Sequence, residues 1–263
     1  MSSSGNSFAS HVLWKWLRFP GFCLAMLLLP SSSGVSCVTG CTPADGCGSP
    51  IIVDATGRGF HLTSAEKGVF FDIRGDGHPI KLAWTARNTS NAFLALDRNH
   101  EGKIDSGKEL FGNFTDQPPC PDGSTSCLNG YRALAEFDKP PNGGNGDGII
   151  DSRDAVYSHL LLWIDANHDG ISQPEELHAL PELGVYSISL HYKDDQGLFD
   201  EYGNWFHYQS VLNPDPLDGE SKDGRITYDV FFKTARGDSY EEPRLNEGLN
   251  PFSGGETRVS VVR

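Results

Sequence analysis

Basic residues are scarce in this chain of 263 residues, in which 21 lysines and arginines stand against 35 aspartates and glutamates. The formal net charge is -14. Nucleic acids and anionic membranes are bound through basic surfaces, so this balance argues against both as partners. Acidic side chains instead suit cations. With 38% hydrophobic residues the chain can still bury a core, as one large or two small domains.

Several catalytic and zinc-binding motifs are also missing. The sequence contains no GxSxG, HExxH or CxxC pattern, and its nine histidines are scattered. A zinc site at the cysteines is therefore disfavoured. A secreted hydrolase with calcium as a scaffold is an alternative for which no catalytic residue can be named. We expect a non-catalytic protein.

Long apolar runs are limited to the N-terminus, where Phe19 to Leu29 is too short to cross a bilayer. Two basic residues precede this run and small residues follow it, which is typical of an export signal. We predict a signal peptide over residues 1–36 and no transmembrane segment in the mature chain. The product would be extracellular, periplasmic or held at the cell surface. Cys37 or Cys41, which resemble bacterial lipoprotein sites, would carry a lipid anchor, and a soluble exported protein is the alternative.

The cysteines offer two pairings. Cys120 and Cys127 bracket a short polar loop that a disulfide would close in an oxidising compartment. This is the favoured disulfide, and Cys41 with Cys47 is a second possible pair.

The rest of the sequence contains several acidic loops that share one spacing of oxygen-bearing residues and glycine, which we call the loop schedule. The clearest covers residues 165–176, with oxygen side chains at positions 1, 3 and 5, glycine at 6 and glutamate at 12. Converging carboxylate and carbonyl oxygens fit Ca²⁺ better than zinc or magnesium. A polar turn without metal is the alternative. The candidate ligands are Asp165, Asn167, Asp169, Ile171 through its carbonyl, and Glu176.

A second loop, 97–109, follows the apolar segment Ala92 to Leu96. Its closing glutamate falls at position 13 rather than 12. A solvated turn leading into a helix from Ser106 to Phe111 is the alternative. The candidate ligands are Asp97, Asn99, Glu101, Lys103 through its carbonyl, Asp105 and Glu109.

A third loop, 138–154, is interrupted by a Pro-Pro insertion, so that Asp138 would have to reach back to fill position 1. We predict that a helix from Asp151 or Ser152 to Leu161 follows and turns this loop to face the loop at Asp165. The candidate ligands are Asp138, Asn145, Asp147, Ile149 through its carbonyl, Asp151 and Asp154.

Short strands and turns are predicted elsewhere, with hairpins over Pro50 to Leu62 and Gly68 to Trp84. The second hairpin turn repeats part of the loop schedule, but Arg74 at position 3 would repel calcium. Helical spacing predicts short helices, and alternation of apolar residues predicts antiparallel strands. The helices are Asn129 to Phe137 and Pro174 to Leu180, and the strands are Val185 to Tyr192, Trp205 to Val211 and Ile226 to Phe232.

The predicted fold class is therefore α+β: short helices with EF-hand-like calcium loops, packed against antiparallel β-hairpins. We expect a single calcium-binding domain over residues 50–236. A loosely ordered tail would follow over residues 237–263.

Taken together, these motifs resemble an EF-hand-type calcium-binding module of bacterial secreted and repeats-in-toxin-associated proteins. The segments that carry the resemblance are Phe71-Asp72 with Gly75-Asp76-Gly77, Ala92 to Asp97, Ile104 to Gly112, Tyr131 to Ala135, Gly146 to Asp151 and Leu162 to Asp165. The resemblance implies an exported protein that Ca²⁺ stabilises at the matching loop positions. A dockerin-like interaction module is the alternative, because Asn145 to His159 is similar to a dockerin loop and helix. The sequence indicates no particular protein or glycan partner.

Overall fold

Short apolar and aromatic runs, separated by turns rich in aspartate and glycine, form strands in this chain. The computed structural model describes residues 47–195 and 197–239. The strands of this part are β1 (Ile51–Asp54), β2 (Val69–Phe71), β3 (Ile80–Leu82), β4 (Asn91–Leu96), β5 (Ile149–Asp151), β6 (Leu160–Trp163), β7 (Leu177–Ala179), β8 (Ser187–Ser189), β9 (Lys193–Asp194), β10 (Trp205–Val211), β11 (Ile226–Phe231) and β12 (Thr234–Ser239). The α-helix of this part is α1 (Gly130–Ala135), and the 3-10 turns are Ala65–Lys67, Pro140–Asn142, Tyr157–His159, Pro174–Glu176 and Leu180–Leu183.

The main sheet has seven antiparallel strands in the order β7-β6-β4-β1-β11-β10-β9. Its central strand β1 is buried along its whole length. Ile51 and Val53 belong to one hydrophobic cluster and Ile52 belongs to another. Successive side chains of a strand point to opposite faces, so an unbroken apolar run indicates that both faces are covered. Two smaller sheets, β12-β3-β2 and β5-β8, complete the strand pairing.

An aromatic group fills one of the two cores. The ring centre of Trp84 lies 4.4 Å from that of Phe93 and 5.6 Å from that of Trp163. All three side chains are fully buried. Replacing one large aromatic in such a core by alanine typically costs about 3–5 kcal/mol. This cluster lies beneath the loop that begins at Asp165, because the Trp84 indole donates a hydrogen bond to that residue.

The α+β prediction is wrong, since the described residues are mostly β. The expected helix from Asp151 to Leu161 is replaced by β5, a 3-10 turn and β6. Strand β6 pairs with β4 through Leu162 and Leu94, which keeps its apolar residues in the main sheet. Pro174 to Leu180 likewise forms a 3-10 turn and β7 rather than one helix.

Of the other expected helices and hairpins, some are confirmed and some are wrong. The hairpin over Gly68 to Trp84 is confirmed as β2 and β3, and β10 and β11 match the alternating segments. The helix over Asn129 to Phe137 is confirmed in its shorter form α1. The hairpin over Pro50 to Leu62 is wrong, because β1 pairs with β4 and β11. The helix from Ser106 to Phe111 is also wrong, since turns form there instead.

The disulfide between Cys120 and Cys127 is confirmed, with 5.7 Å between the two Cα atoms. The predicted signal peptide, the lipid-anchor positions Cys37 and Cys41, and the pairing of Cys41 with Cys47 involve residues outside those described. Strand β12 extends to Ser239, three residues into the segment predicted as a loose tail. Residues 240–263 lie outside the described part. A helix able to span a membrane is not found among the described residues.

Candidate functional site

Three acidic loops close on their own first aspartate in the same way, as does the turn at Asp54, whose carboxylate accepts the N–H groups of Arg58 and Gly59. In each, the two carboxylate oxygens accept N–H bonds from the residues four and five positions later, at 2.7 to 3.2 Å. The bonds run to Asp72 from Asp76 and Gly77, to Asp97 from Glu101 and Gly102, and to Asp165 from Asp169 and Gly170. The shared schedule in the sequence therefore produces a shared backbone conformation.

Two positions of these loops take positive φ angles. At position 4 the angle is 61° for His100 and 60° for His168, and at position 6 it is 80° for Gly102 and 73° for Gly170. Glycine adopts this left-handed region without the steric cost that a Cβ brings, whereas a histidine there is uncommon. The His168 ring nitrogens lie 2.7 Å and 2.8 Å from the carbonyl oxygens of Thr85 and Lys67, so neighbouring segments support the strained residue.

The loop 138–154 reaches a related arrangement across its insertion, with bonds from loop positions 4 and 6 rather than 5 and 6. Asp138, which is 7% exposed, accepts N–H bonds of 2.9 Å from Gly146 and Gly148. Its carboxylate therefore occupies the place that Asp97 and Asp165 hold in the other loops. The Pro-Pro turn lengthens the loop without removing its first acidic group.

Carboxylates gather most densely in the loop 97–109. Ligand oxygens of Glu101, Asp105 and Glu109 all lie within 4.8 Å of one another. Glu109 is 3% exposed and accepts N–H bonds from Arg98 and Asp105, at 3.3 and 3.1 Å. Burial is the main cause that raises the pKa of Asp105, and Glu101 adds to it. Burial also raises the pKa of Glu109, with a further contribution from Asp105.

The loop at 165–176 places its first and last acidic groups against the aromatic core. Asp165 and Glu176 are 2% and 5% exposed. The Trp84 indole donates to Oδ2 of Asp165 at 2.7 Å, and the Trp163 indole donates to Oε2 of Glu176 at 3.3 Å. Glu176 also accepts the N–H of Ala166 at 2.9 Å. These contacts hold both carboxylates in place from below.

The middle positions of this loop are more exposed. The Asp169 Oδ2 atom accepts amide N–H groups from Asn167 and Gln173, both at 2.9 Å. Ile171 directs a 61% exposed side chain to solvent, and its backbone N–H donates to Asp169 at 2.8 Å. The loop therefore presents a cluster of oxygens at its open side.

An arginine forms ion pairs with the acidic groups of the loop 138–154. The Arg153 guanidinium lies 2.6 Å from carboxylate oxygens of both Asp147 and Asp151. Its hydrogen bond lowers the pKa of Asp151. Asp154, which is 3% exposed, accepts N–H bonds from Asn145 and Asp151 at 3.1 and 2.9 Å. Ile149 lies in β5, which pairs with β8 rather than with another loop.

The turn at Asp72 resembles the third loop, because Arg74 lies 3.0 Å from Asp76. By contrast, within the described residues no lysine or arginine forms an ion pair with the carboxylates of the loops at Asp97 and Asp165. In these two loops no guanidinium or ammonium group of the described residues lies at ion-pair distance from a carboxylate, and Arg98 and Lys103 act on Glu109 and Asp105 only over longer distances.

The loops at Asp97 and Asp165 contact each other. The Ile104 N–H donates to Oγ of Ser172 at 2.7 Å, and both residues are buried. That the loop 138–154 faces the loop at Asp165 stays a prediction, but the helix expected to turn it there is replaced by β5, a 3-10 turn and β6. The sequence did not predict the contact of Ile104 with Ser172 or the two indole contacts, which join residues 68, 81 and 13 positions apart. Arg153 was detectable, since it is a basic residue inside an acidic loop.

A family model for the SPM domain matches residues 51–232, which include all of these loops. The chain belongs to the SPM domain family. It is also similar to the iron-regulated protein FrpA of Neisseria meningitidis serogroup C, with 41% identity over 147 residues. The matched region is 55% of this chain and 12% of FrpA, so the SPM chain spans only a small part of that relative.

Membership of the SPM domain family corrects the EF-hand resemblance that the motifs suggested. No EF-hand family model matches the chain, and the matching model is that of the SPM domain. The acidic schedule of the loops is therefore a local feature of this SPM chain and does not make it an EF-hand protein. Local loop patterns are weak evidence of family because short acidic turns recur in unrelated folds.

Proposed function

We propose that this SPM chain is an exported, non-catalytic protein whose fold Ca²⁺ stabilises by binding in its acidic loops. The observation that carries the proposal is the group of Glu101, Asp105 and Glu109, whose oxygens lie within 4.8 Å of one another. The pKa values of Asp105 and Glu109 are raised, so ionising both without a counter-ion is unfavourable. A bound cation would offset both the cost of burying these charges and the repulsion between the carboxylates.

The donor atoms decide which cation fits. All three side chains of this group offer oxygen, whereas zinc sites are built mainly from nitrogen and sulfur ligands. Mg²⁺ requires near-octahedral geometry and keeps several waters, while Ca²⁺ accepts six to eight oxygens in flexible arrangements. Asp97 and Asn99, earlier in the same loop, would add further oxygens. A clustered carboxylate loop that is open to solvent therefore suits Ca²⁺ best.

The three loops are expected to differ in affinity. The loop at Asp97 has three clustered carboxylates and no ion pair with a basic side chain in the described part of the chain. The loop at Asp165 offers two buried carboxylates beside Asn167 and Asp169. Asp165 already accepts three N–H groups and Glu176 accepts four, so a cation would have to replace some of these bonds. In the loop at Asp138, Arg153 would have to leave before a cation enters. We expect the third loop to bind most weakly.

The alternative functions gain no support from particular contacts. A dockerin-like module requires a helix after the loop at Asn145, and β5 and β6 occupy that region. For a hydrolase, the acidic groups of the loops serve as acceptors of backbone N–H groups, which is a structural use. Export rests on the pattern of residues 1–36 alone.

The first test is calorimetric titration of the chain from Cys41 onward with Ca²⁺, together with thermal unfolding in Ca²⁺ and in excess chelator. At a free Ca²⁺ concentration 100 times the dissociation constant, one site adds about 2.7 kcal/mol of stability. For a domain of this size that corresponds to about 5 to 10 °C in melting temperature. We expect two ions to bind and the chelator to lower the melting temperature by at least this amount.

Variants assign the sites. Glu109→Gln should weaken one calcium site roughly tenfold or more, since it removes a charged ligand, and Glu176→Gln should weaken the other. Asp122→Asn is the matched control, because Asp122 is an exposed acid of the disulfide loop outside all three candidate loops. No heat of binding and no effect of chelator on melting would refute the proposal.

A further inference from the structure

A second feature of the chain is a polar cleft of about 340 Å³ away from the acidic loops. It lies between the segment that joins β8 to β9, strand β10, and the turn that follows β10. None of the candidate calcium ligands lines it. Its walls carry hydroxyl, imidazole, ammonium, amide and carboxylate groups, and Val211 is the one aliphatic residue among the described residues that line it.

One wall is an aromatic ring held in a fixed position. Tyr192 stacks on buried Tyr131, with ring centres 5.2 Å apart and an angle of 17° between the planes. Tyr208 packs edge-on at 5.2 Å. Asn129 donates to the Tyr192 hydroxyl at 3.2 Å. Tyr192 is nevertheless 36% exposed and lines the cleft, so a rigid ring is available to a ligand.

The opposite wall is a turn that its own backbone bonds hold together. The Gly219 N–H donates to the Asp215 carbonyl at 2.8 Å, and the Asp215 N–H donates to the Glu220 carbonyl at 2.7 Å. Asp218 uses Oδ1 to accept the Glu220 N–H at 3.0 Å. The exposed carboxylate of Glu220 and the second oxygen of Asp218 therefore face solvent from a defined backbone.

The floor of the cleft is polar as well. Oγ of Ser210 lies 2.8 Å from the carbonyl oxygens of both Ser189 and His191. Ser189 and Ser210 are buried, at 5% and 3% exposed. Gln209 and Lys193 add donors beside this floor. A ligand in the cleft would meet hydrogen-bonding groups on nearly every side.

These groups define the chemistry of the ligand. Two carboxylates against one lysine disfavour a polyanion, and the polar or charged side chains that make up most of the lining disfavour a lipid tail. Hydroxyl groups both donate and accept, so they match a mixture of carboxylate, amide and ammonium groups. The C–H face of a sugar ring is apolar and packs on an aromatic ring. A neutral saccharide combines both properties.

We propose that this cleft binds a neutral saccharide, with the sugar ring packed on Tyr192 and its hydroxyls hydrogen-bonded to Asp218, Glu220 and Gln209. The site is independent of the calcium loops and would add recognition of a carbohydrate surface to the chain. Bonds to the two carboxylates are charge-assisted, which makes them the stronger polar contacts.

The test is binding of three neutral trisaccharides to the full chain: maltotriose, cellotriose and N-acetylated chitotriose. Calorimetry gives the affinity, and saturation-transfer NMR identifies the sugar protons that contact the protein. We expect at least one trisaccharide to bind at one site per chain. Tyr192→Ala and Glu220→Ala should each lower its affinity about tenfold, whereas Tyr192→Phe, which keeps the ring, should change it by less than about threefold.

Two controls separate the site from general effects. Tyr186→Ala removes a tyrosine that is 63% exposed and does not line the cleft, so it should leave the affinity unchanged. Glu220 lies on an exposed turn, so Glu220→Ala tests the site without disturbing the packing of Tyr192 on Tyr131. Failure of all three sugars to bind would overturn the proposal, as would equal affinity in Tyr192→Ala and Glu220→Ala. Binding of a tri-lysine peptide that depends on Glu220, without sugar binding, would also overturn it.

Discussion

Asp229 lies at the middle of the main sheet, in β11, with no exposed surface. Its Oδ2 atom accepts the Gly130 N–H at 2.5 Å. Its Oδ1 atom has no hydrogen-bond partner among the described residues. Burial raises the pKa of Asp229 to about 7, against the opposing effects of the Gly130 N–H and the Ser49 hydroxyl. Folded chains therefore hold this proton up to about pH 7, whereas unfolded chains lose it near pH 4.

The cost of that charge follows from the two pKa values. Between about pH 4 and pH 7 the folded state binds more protons than the unfolded state, so the contribution of Asp229 to stability falls as the pH rises. Each pH unit between the two pKa values is worth about 1.4 kcal/mol. Above pH 7 the full cost of burying the charged carboxylate reaches up to about 4 kcal/mol.

Asp229→Asn removes the charge and keeps a carbonyl oxygen for the Gly130 N–H. Its amide NH₂ would be poorly paired, which costs about 1 kcal/mol or more. We expect the variant to be more stable than the natural chain by about 2–3 kcal/mol at pH 8. At pH 4 it should be slightly less stable, because the natural carboxyl is then largely neutral.

Denaturant unfolding followed by tryptophan fluorescence at pH 4, 6 and 8 measures this difference. Chelator in every sample keeps metal occupancy from varying with pH. Asp122 is exposed, so the difference in unfolding free energy between Asp122→Asn and the natural chain should change little with pH. If the unfolding free energies of Asp229→Asn and the natural chain differ by the same amount at pH 4 and pH 8, the reasoning is refuted.

Two further predictions concern the acidic loops. Arg153→Gln should release Asp147 and Asp151, so calorimetry should detect one additional bound Ca²⁺ or a tighter third site; an unchanged titration would mean that the arginine does not block the loop. Ser172→Ala removes the acceptor of the buried Ile104 N–H and should destabilise the chain by about 1–3 kcal/mol in denaturant unfolding. A loss below about 0.5 kcal/mol would show that the contact between the two loops contributes little to the fold.

Much of the candidate site was predictable because its bonds are local. Asp97 and Asp165 bond to backbone groups only four and five residues away, so the spacing of acids and glycines in the sequence specifies each loop. Arg153 acts on Asp147 and Asp151 over the same short range. The family was a different matter, since local acidic turns do not distinguish an SPM domain from an EF-hand.

The sequence by itself determined the loops, the short hairpin of β2 and β3 and the disulfide of Cys120, because each depends on residues close together in the chain. Tertiary structure decided the rest. The apolar run Leu160–Trp163 is compatible with a helix or a strand, and pairing with β4 made it a strand. Trp84 reaches Asp165 across 81 positions, which no local pattern encodes. Contacts between distant segments therefore determined that this run forms a strand of the main sheet, and they joined the loops to the core.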